Sequence, residues 1–278
     1  MKRTVSILYV LVASSVAFGA ISMHAHRGEP HKAPENSVES IKLAFDLGAQ
    51  MIETDVNLTK EGQLVIMHGR RELKKVWGID NPVEELTLED LKNSKPAHPE
   101  DYDPKYANAK IPTFDEVLKV IPKDKRFELE IKAYGADFAR KSMEAIKRAG
   151  LTEKNVIVTC GNPANIKDFK RQYPNVETLY ICYVKKDPKT GELKPGAEDI
   201  IKTVREAGAA QVGVGGYKAI DRAFVKKIQD AGIVVGVWQV ECLEDLDFAA
   251  RLGATRVCSN YAHDLREAYK RVHSLDFK

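Results

Sequence analysis

Three short apolar segments of the chain end in residues equipped for chemistry. His26-Arg27-Gly28 closes the first, Glu53-Thr54-Asp55 lies near the end of the second, and His68 closes the third. A fourth segment, Phe127 to Lys132, adds Glu128, Glu130 and Lys132. Side chains alternate faces along a strand. Glu53, Asp55 and Asn57 therefore oppose Ile52, Thr54 and Val56, just as Glu128, Glu130 and Lys132 oppose Phe127, Leu129 and Ile131. If the apolar faces pack on helices, the carboxylates converge on the other side, where an unpaired buried charge is costly. An oxygen-seeking divalent cation, Ca2+ or Mg2+, answers that concentration of negative charge. A salt-bridge network with Arg27 and Lys132 is the competing answer. Imidazoles with an ordinary pKa near ~6.5 can give and take protons at neutral pH. Together His26, His68, Arg27, Lys132 and the acidic set suit a metal and a phosphoryl group better than they suit an apolar core.

The elements that position these residues repeat one phrase: an amphipathic helix, a Gly at its C-terminal end, then a strand. Ile41 to Phe45 with Gly48 leads to Met51–Val56, Met143 to Ala149 with Gly150 leads to Val156–Thr159, and Leu246 to Leu252 with Gly253 leads to Arg256–Cys258. Glycine accepts the left-handed conformation that ends a helix and turns the chain. Helix–strand alternation at this pitch means parallel strands with right-handed crossovers. Strands are expected near 21–26, 50–56, 64–68, 127–131, 156–160, 178–182, 210–214, 233–238 and 256–259. Thr59-Lys60-Glu61-Gly62 joins the second and third as a hairpin, so eight helix-linked units remain. That number closes an α/β (β/α)8 barrel, the TIM barrel. An open doubly wound sheet is the rival, but no Gly-x-Gly-x-x-Gly opens the first helix. Residues 69–111, rich in Pro, Lys, Glu and Asp with an amphipathic stretch at Leu86 to Leu91, read as an insertion on the functional rim, and 185–196 as a second rim excursion.

The 278 residues, 44% hydrophobic and 30% charged, can bury a sizeable core. Lys2-Arg3, the apolar run from Val5 to Phe18 and the small residues to Ser22 resemble a secretory signal over residues 1–20, with the barrel over 21–278. Export, to a periplasm or beyond the cell, is expected, with no stable membrane span after cleavage, since the run is short for a retained anchor. A net charge of +3 and alternating Lys and Glu give no basic surface for nucleic acid. Cys160, Cys182, Cys242 and Cys258 lack zinc spacing and read as buried free thiols, with a Cys160–Cys182 disulfide as the alternative. His24 reads as a buried partner, and His31, His98, His263 and His273 as surface residues. In Pro34-Glu35-Asn36-Ser37, Asn36 or Ser37 is an expected helix N-cap, and Glu35 is placed to ligate or steer the site. Trp238, ending its strand, is either a core residue or a rim aromatic against a substrate's carbon skeleton.

Ala25-His26-Arg27-Gly28, Pro34-Glu35-Asn36-Ser37, Ile52-Glu53-Thr54-Asp55-Val56, Val65-Ile66-Met67-His68, Ile111-Pro112-Thr113, Glu128-Leu129-Glu130-Ile131-Lys132 and Val237-Trp238 together resemble the glycerophosphodiester phosphodiesterase family. Their order and spacing run through most of the chain after the N-terminal segment. The resemblance implies a (β/α)8 barrel with an inserted rim segment and one divalent metal. It implies His26 and His68 as an acid–base pair, Arg27 and Lys132 as phosphate contacts, and Glu53, Asp55 and Glu130 as metal ligands. Three positions depart from the family pattern. Gly69 follows His68 where the family usually has Asp, only Arg70 or Arg71 could stand for an Arg common a few residues later, and Ser259-Asn260-Tyr261 stands where Thr-Asp-Pro is frequent.

The expected activity is metal-dependent hydrolysis of a small phosphodiester, a glycerophosphodiester first of all, yielding glycerol 3-phosphate and an alcohol. The same chemistry could act on a lysophospholipid, a teichoic-acid fragment or a sugar phosphodiester. From a different class, the chain could be an exported ligand-binding barrel without catalysis, an idea that Gly69 favours and the retained histidines and carboxylates oppose.

Overall fold

The computed structural model describes residues 21–273, so the expected export segment, residues 1–20, lies outside the described residues. Eleven strands follow in chain order. They are β1 (Ser22–His26), β2 (Met51–Leu58), β3 (Leu64–Ile66), β4 (Arg126–Ile131), β5 (Val156–Cys160), β6 (Glu177–Tyr183), β7 (Lys185–Lys186), β8 (Leu193–Lys194), β9 (Gln211–Gly215), β10 (Val234–Trp238) and β11 (Arg256–Ser259). The parallel ladder runs β1-β2-β4-β5-β6-β9-β10-β11, and β11 pairs back onto β1, which closes the barrel. The hairpin strand β3 pairs antiparallel to β2 outside that circle, and β7 with β8 forms a separate ribbon in the 185–196 excursion. The expected (β/α)8 architecture is what the chain adopts.

The alternation expected from the sequence is realised. Ile52, Val56, Phe127 and Leu129 are fully buried in one continuous core with helix residues such as Ile41, Ala44, Phe114 and Phe138. Their neighbours along each strand point into the barrel. Register then sets the carboxylates side by side: Glu53 lies opposite Glu128, and Asp55 opposite Glu130.

Lower in the barrel, the inward charges are paired. Glu128 accepts from His24 Nδ1 at 2.9 Å, Arg256 Nη1 at 3.0 Å and Thr159 Oγ1 at 2.9 Å. Burial alone would raise its pKa, but Arg256 and then His24 outweigh it and hold the carboxyl at about 2. Gly236 makes room for the arginine, since a Cβ there would meet Arg256 Nε at 2.8 Å.

Two expectations are corrected. The 69–111 insertion is more than a polar rim loop: it contains helix α2 (Arg70–Trp77) and builds its own small core from Leu73, Val76, Trp77, Val83, Leu91, Ala109 and Ile111 against Val65 and Met67. The helix follows from Leu73, Val76 and Trp77, whose spacing gives one apolar stripe. All four cysteines are free, and Cys242 is exposed rather than buried because it stands at the start of a helix, Leu243–Leu252.

Removing Glu128 strands two buried bases, so Glu128→Ala is expected to cost about 3–5 kcal/mol of stability in denaturant titration. The carboxyl's pKa is depressed in the folded state, so its stabilisation is complete above the ordinary value of 4.5 and is lost as pH falls toward about 2.

Candidate active site

The loop after β1 begins the site. Arg27 and Asn36 both take left-handed backbone conformations, with φ of 56° and 62°. That conformation costs a non-glycine residue roughly 1–2 kcal/mol, and the loop is pinned to offset it. Arg27 N donates to Glu53 O at 2.9 Å, and Asn36 N and Ser40 Oγ both donate to Arg27 O at 3.0 Å. Ser37, not Asn36, caps helix α1 (Val38–Asp46) by accepting from Ser40 N. Asn36 is thereby free to turn inward. Its Nδ2 donates to Asp55 Oδ2 at 2.9 Å and Glu72 Oε2 at 3.1 Å, and its Oδ1 accepts from Thr54 Oγ1 at 2.9 Å and Asp55 N at 3.2 Å.

Glu53, Asp55 and Glu130 converge as expected, with one oxygen from each lying within 4.8 Å of the others. Arg27 Nε reaches Asp55 Oδ2 at 2.9 Å, while Lys132 Nζ lies 3.1 Å from Asp55 Oδ1 and in contact with Glu130. The competing salt-bridge network is thus present, yet it does not balance. Arg27 is shared further with Glu35 at 3.2 Å and Glu72 at 3.8 Å. Among the described residues, the Lys and Arg side chains within 4 Å of Glu35, Asp55, Glu72 and Glu130 are Arg27 and Lys132 alone, Glu53 has none that close, and Arg71 and Lys75 stand farther out in the cavity lining. The pKa values divide accordingly. Burial opposes the charge on Asp55, but Arg27 and Lys132 hold it well below the carboxylate range. Glu53 is pushed well up by burial and by Asp55 and Glu130, and Glu130 rises to about 7 through burial and Asp55. Glu53 Oε1 is buried without a hydrogen bond, and Asp55 Oδ1 has the Lys132 ammonium 3.1 Å away as its one close partner. An oxygen donor left without a hydrogen bond beside protonation-prone neighbours suits a hard divalent cation.

Both expected histidines line one cavity of about 260 Å3 with Arg27, Glu35, Arg71 and Glu72. They also line an adjoining one of about 150 Å3 that Glu53, Glu130, Lys132 and Trp238 share. His26 Nδ1 lies 2.6 Å from Asn260 Oδ1 and 3.0 Å from Gln239 Nε2; the shorter contact, to an oxygen, fits a protonated Nδ1, which leaves Nε2 as the unprotonated nitrogen, 3.7 Å from Glu53 Oε2. Burial, then Arg27, lowers the His26 pKa to about 4; burial, then Lys132 and Arg27 against Asp55, lowers His68 to about 4. Both rings are neutral at pH 7. Trp238 is half-buried and meets Tyr183 edge-on, 6.1 Å between centroids, so it is a wall of the cavity rather than a core residue.

A model of the "Glycerophosphoryl diester phosphodiesterase family" matches residues 26–263. The chain belongs to that family. A "Glycerophosphodiester phosphodiesterase" of Caldanaerobacter subterraneus subsp. tengcongensis is 34% identical over 57% of this chain; the match spans 66% of that relative, just short of two thirds. One of the same description from Bacillus subtilis is 26% identical over 88% of this chain and 86% of its own length. Among solved structures, an Oleispira antarctica phosphodiesterase in complex with the product sn-glycerol-3-phosphate superposes with a TM-score of 0.76 at 21% identity, covering 90% of this chain and 97% of the other. At that identity the likeness concerns the barrel alone.

Every expected site residue lines these cavities or contacts the acidic group. Glu35 meets Arg27 and is not among the three clustered oxygens. Arg70 pairs with Asp80 on the surface, whereas Arg71 lines the cavity mouth. Glu72 and Gln239 carry no expectation from the sequence, and Asn36 and Asn260 carry none as site residues, Asn36 being read only as a candidate cap. Asn260 had a signal, its place in the departing Ser259-Asn260-Tyr261 segment; Glu72 had none beyond its distance from His68. Asn260→Ala frees the His26 ring, and turnover by this family member is expected to fall by up to about 10²-fold while the melting temperature changes little. Steady-state kinetics beside thermal unfolding check this.

Proposed function

We propose that the protein hydrolyses glycerophosphodiesters to glycerol 3-phosphate and an alcohol, with one divalent cation, Mg2+ or Ca2+, held by Glu53, Asp55 and Glu130. The observation that carries the reading is the uncompensated buried carboxylate group sharing a cavity with two neutral imidazoles. The cation, when bound, would polarise the phosphoryl group and acidify the attacking group, either a water, which yields glycerol 3-phosphate directly, or the substrate's neighbouring hydroxyl, which yields a cyclic phosphodiester that a water then opens. The chain's residues do the rest. Arg27 and Lys132, both held firmly charged by the surrounding carboxylates, meet the negative charge that grows on the phosphoryl oxygens. His26, with Nδ1–H fixed on Asn260, offers Nε2 as the base. The phosphodiester's own negative charge favours an imidazolium at His68, which can then protonate the departing alkoxide. Trp238 offers an apolar wall to a glycerol-like carbon skeleton.

A soluble diester is favoured over a lysophospholipid. Leu73, Val76 and Trp77, the large apolar residues of the insertion's helix, are at most 4% exposed and spent on its core, so this helix offers the cavity no apolar rim, and the exposed aromatic beside the cavity is Tyr183 against Trp238. The N-terminal Lys2-Arg3 and the apolar run behind them support placing this reaction outside the cytoplasm.

Purified protein with glycerophosphocholine and Mg2+ or Ca2+ is expected to release choline, and a chelator to abolish release. His26→Ala is expected to lose at least about 10²-fold in turnover. Chelator-insensitive release, or full activity in that variant, would overturn the assignment, and binding without release would instead support the non-catalytic barrel. Glu130, raised to about 7, must give up its proton to bind the cation. Calorimetric titration is therefore expected to show weaker cation binding at pH 6 than at pH 8, with protons released at the lower pH.

A further inference from the structure

Glu72 is the buried carboxyl group in the centre that the reaction sequence leaves without a task, its pKa pushed well up by burial and by Glu35. It sits in the first turn of α2, in the insertion rather than the barrel, and is 2% exposed. A carboxylate so deeply placed needs partners, and those it has belong to the reaction centre. Its Oε2 accepts from the backbone N–H of His68 at 2.8 Å. The same carboxylate accepts from Asn36 Nδ2 at 3.1 and 3.3 Å, and Asn36 passes the connection to Asp55 at 2.9 Å. Arg27 Nη1 stands 3.8 Å away.

The residue that joins His68 to this helix cannot supply such a group. Gly69 has φ 151° and ψ −168°, a region that only glycine occupies without strain. A side chain would find open space there, with nothing within 4 Å of a Cβ, so the backbone and not crowding excludes one. The glycine lets the chain swing from the end of the hairpin into α2, and the helix returns a carboxylate three residues later to the backbone it has just left.

We propose that Glu72 is a positioning residue of the phosphodiesterase reaction, clamping the His68 backbone and, through Asn36, the Asp55 carboxylate. The inserted segment on this account completes the reaction centre instead of merely covering it. The inference rests on the hydrolytic reading above. A carboxylate that only capped its helix would affect folding and leave the turnover of folded protein alone. A positioning carboxylate acts on kcat, and acts through its partner.

The test is a double-mutant cycle on glycerophosphocholine at saturating Mg2+, with thermal unfolding of each variant. Glu72→Ala is expected to lower kcat by about 10–10²-fold, the scale for groups that orient a reacting residue, with KM within about threefold of wild type. Glu72→Gln, whose amide oxygen can still accept the His68 N–H, should recover part of that loss. In a His68→Ala background the same Glu72→Ala change should cost less than about threefold, because most of its effect passes through the imidazole. Glu72→Asp, too short by one methylene to reach His68 N, repeats the cycle should the alanine variant not fold. An unchanged kcat in the folded variant, or an equal loss in both backgrounds, overturns the proposal. Wild-type protein inactive on every diester would instead defeat the activity on which it rests, so the two failures are distinguishable.

Discussion

Negative charge that the fold concentrates and does not neutralise organises this protein. Five carboxylates surround Arg27 and Lys132 at the open end of the barrel, in surroundings where each ion pair must repay the cost of leaving water. Two cations cannot repay it for five anions. That imbalance is visible as Glu53, Glu72 and Glu130 held toward protonation and as the buried Glu53 Oε1 with no hydrogen bond. A folded chain retains such a cluster when a ligand completes it.

The same strand shows what completion by the protein itself looks like. Glu128 stands two residues before Glu130 on the same face of β4 and is the more deeply buried of the two, and it is met by an imidazole, a guanidinium and a hydroxyl. Its pKa is pushed down where its neighbour's is pushed up. Depth in the barrel separates the two fates. Arg256, seated against Gly236, reaches the lower layer, and the upper layer opens on the cavity. The lower network is closed by its own side chains, and the upper one holds three carboxylate oxygens that could hold a metal ion.

Much of this was legible from residue order because period-two alternation is a local property. It placed Glu53, Asp55 and Glu130 on one wall and the two histidines at strand ends without knowledge of any contact. The supporting shell obeys no local rule. His26 and Asn260 meet across 234 residues, and Asn36 and Glu72 across 36, through loops whose paths depend on the whole packed barrel. Composition misled at 69–111, where Lys, Glu and Pro suggested a solvated rim. The apolar stripe of Leu73, Val76 and Trp77 was short enough to be lost among the charges, although it gives the segment its own core. Asn36 was weighed as a helix cap because Asn favours that task, but Ser37 took it and left the amide for the site.

That small core carries a consequence for the chemistry. A loop spread over the rim would place its polar groups loosely, and a carboxylate on it would stay in water. Burying Leu73, Val76 and Trp77 against Val65 and Met67 fixes the helix to the hairpin that delivers His68. Glu72, on the turn between those anchors and the imidazole, is consequently driven inward, where only Asn36, Arg27 and the His68 backbone can receive it. Apolar packing on one side of α2 is therefore what holds a carboxyl group in place on the other, and the precision of the reaction centre depends on hydrophobic contacts that no substrate touches.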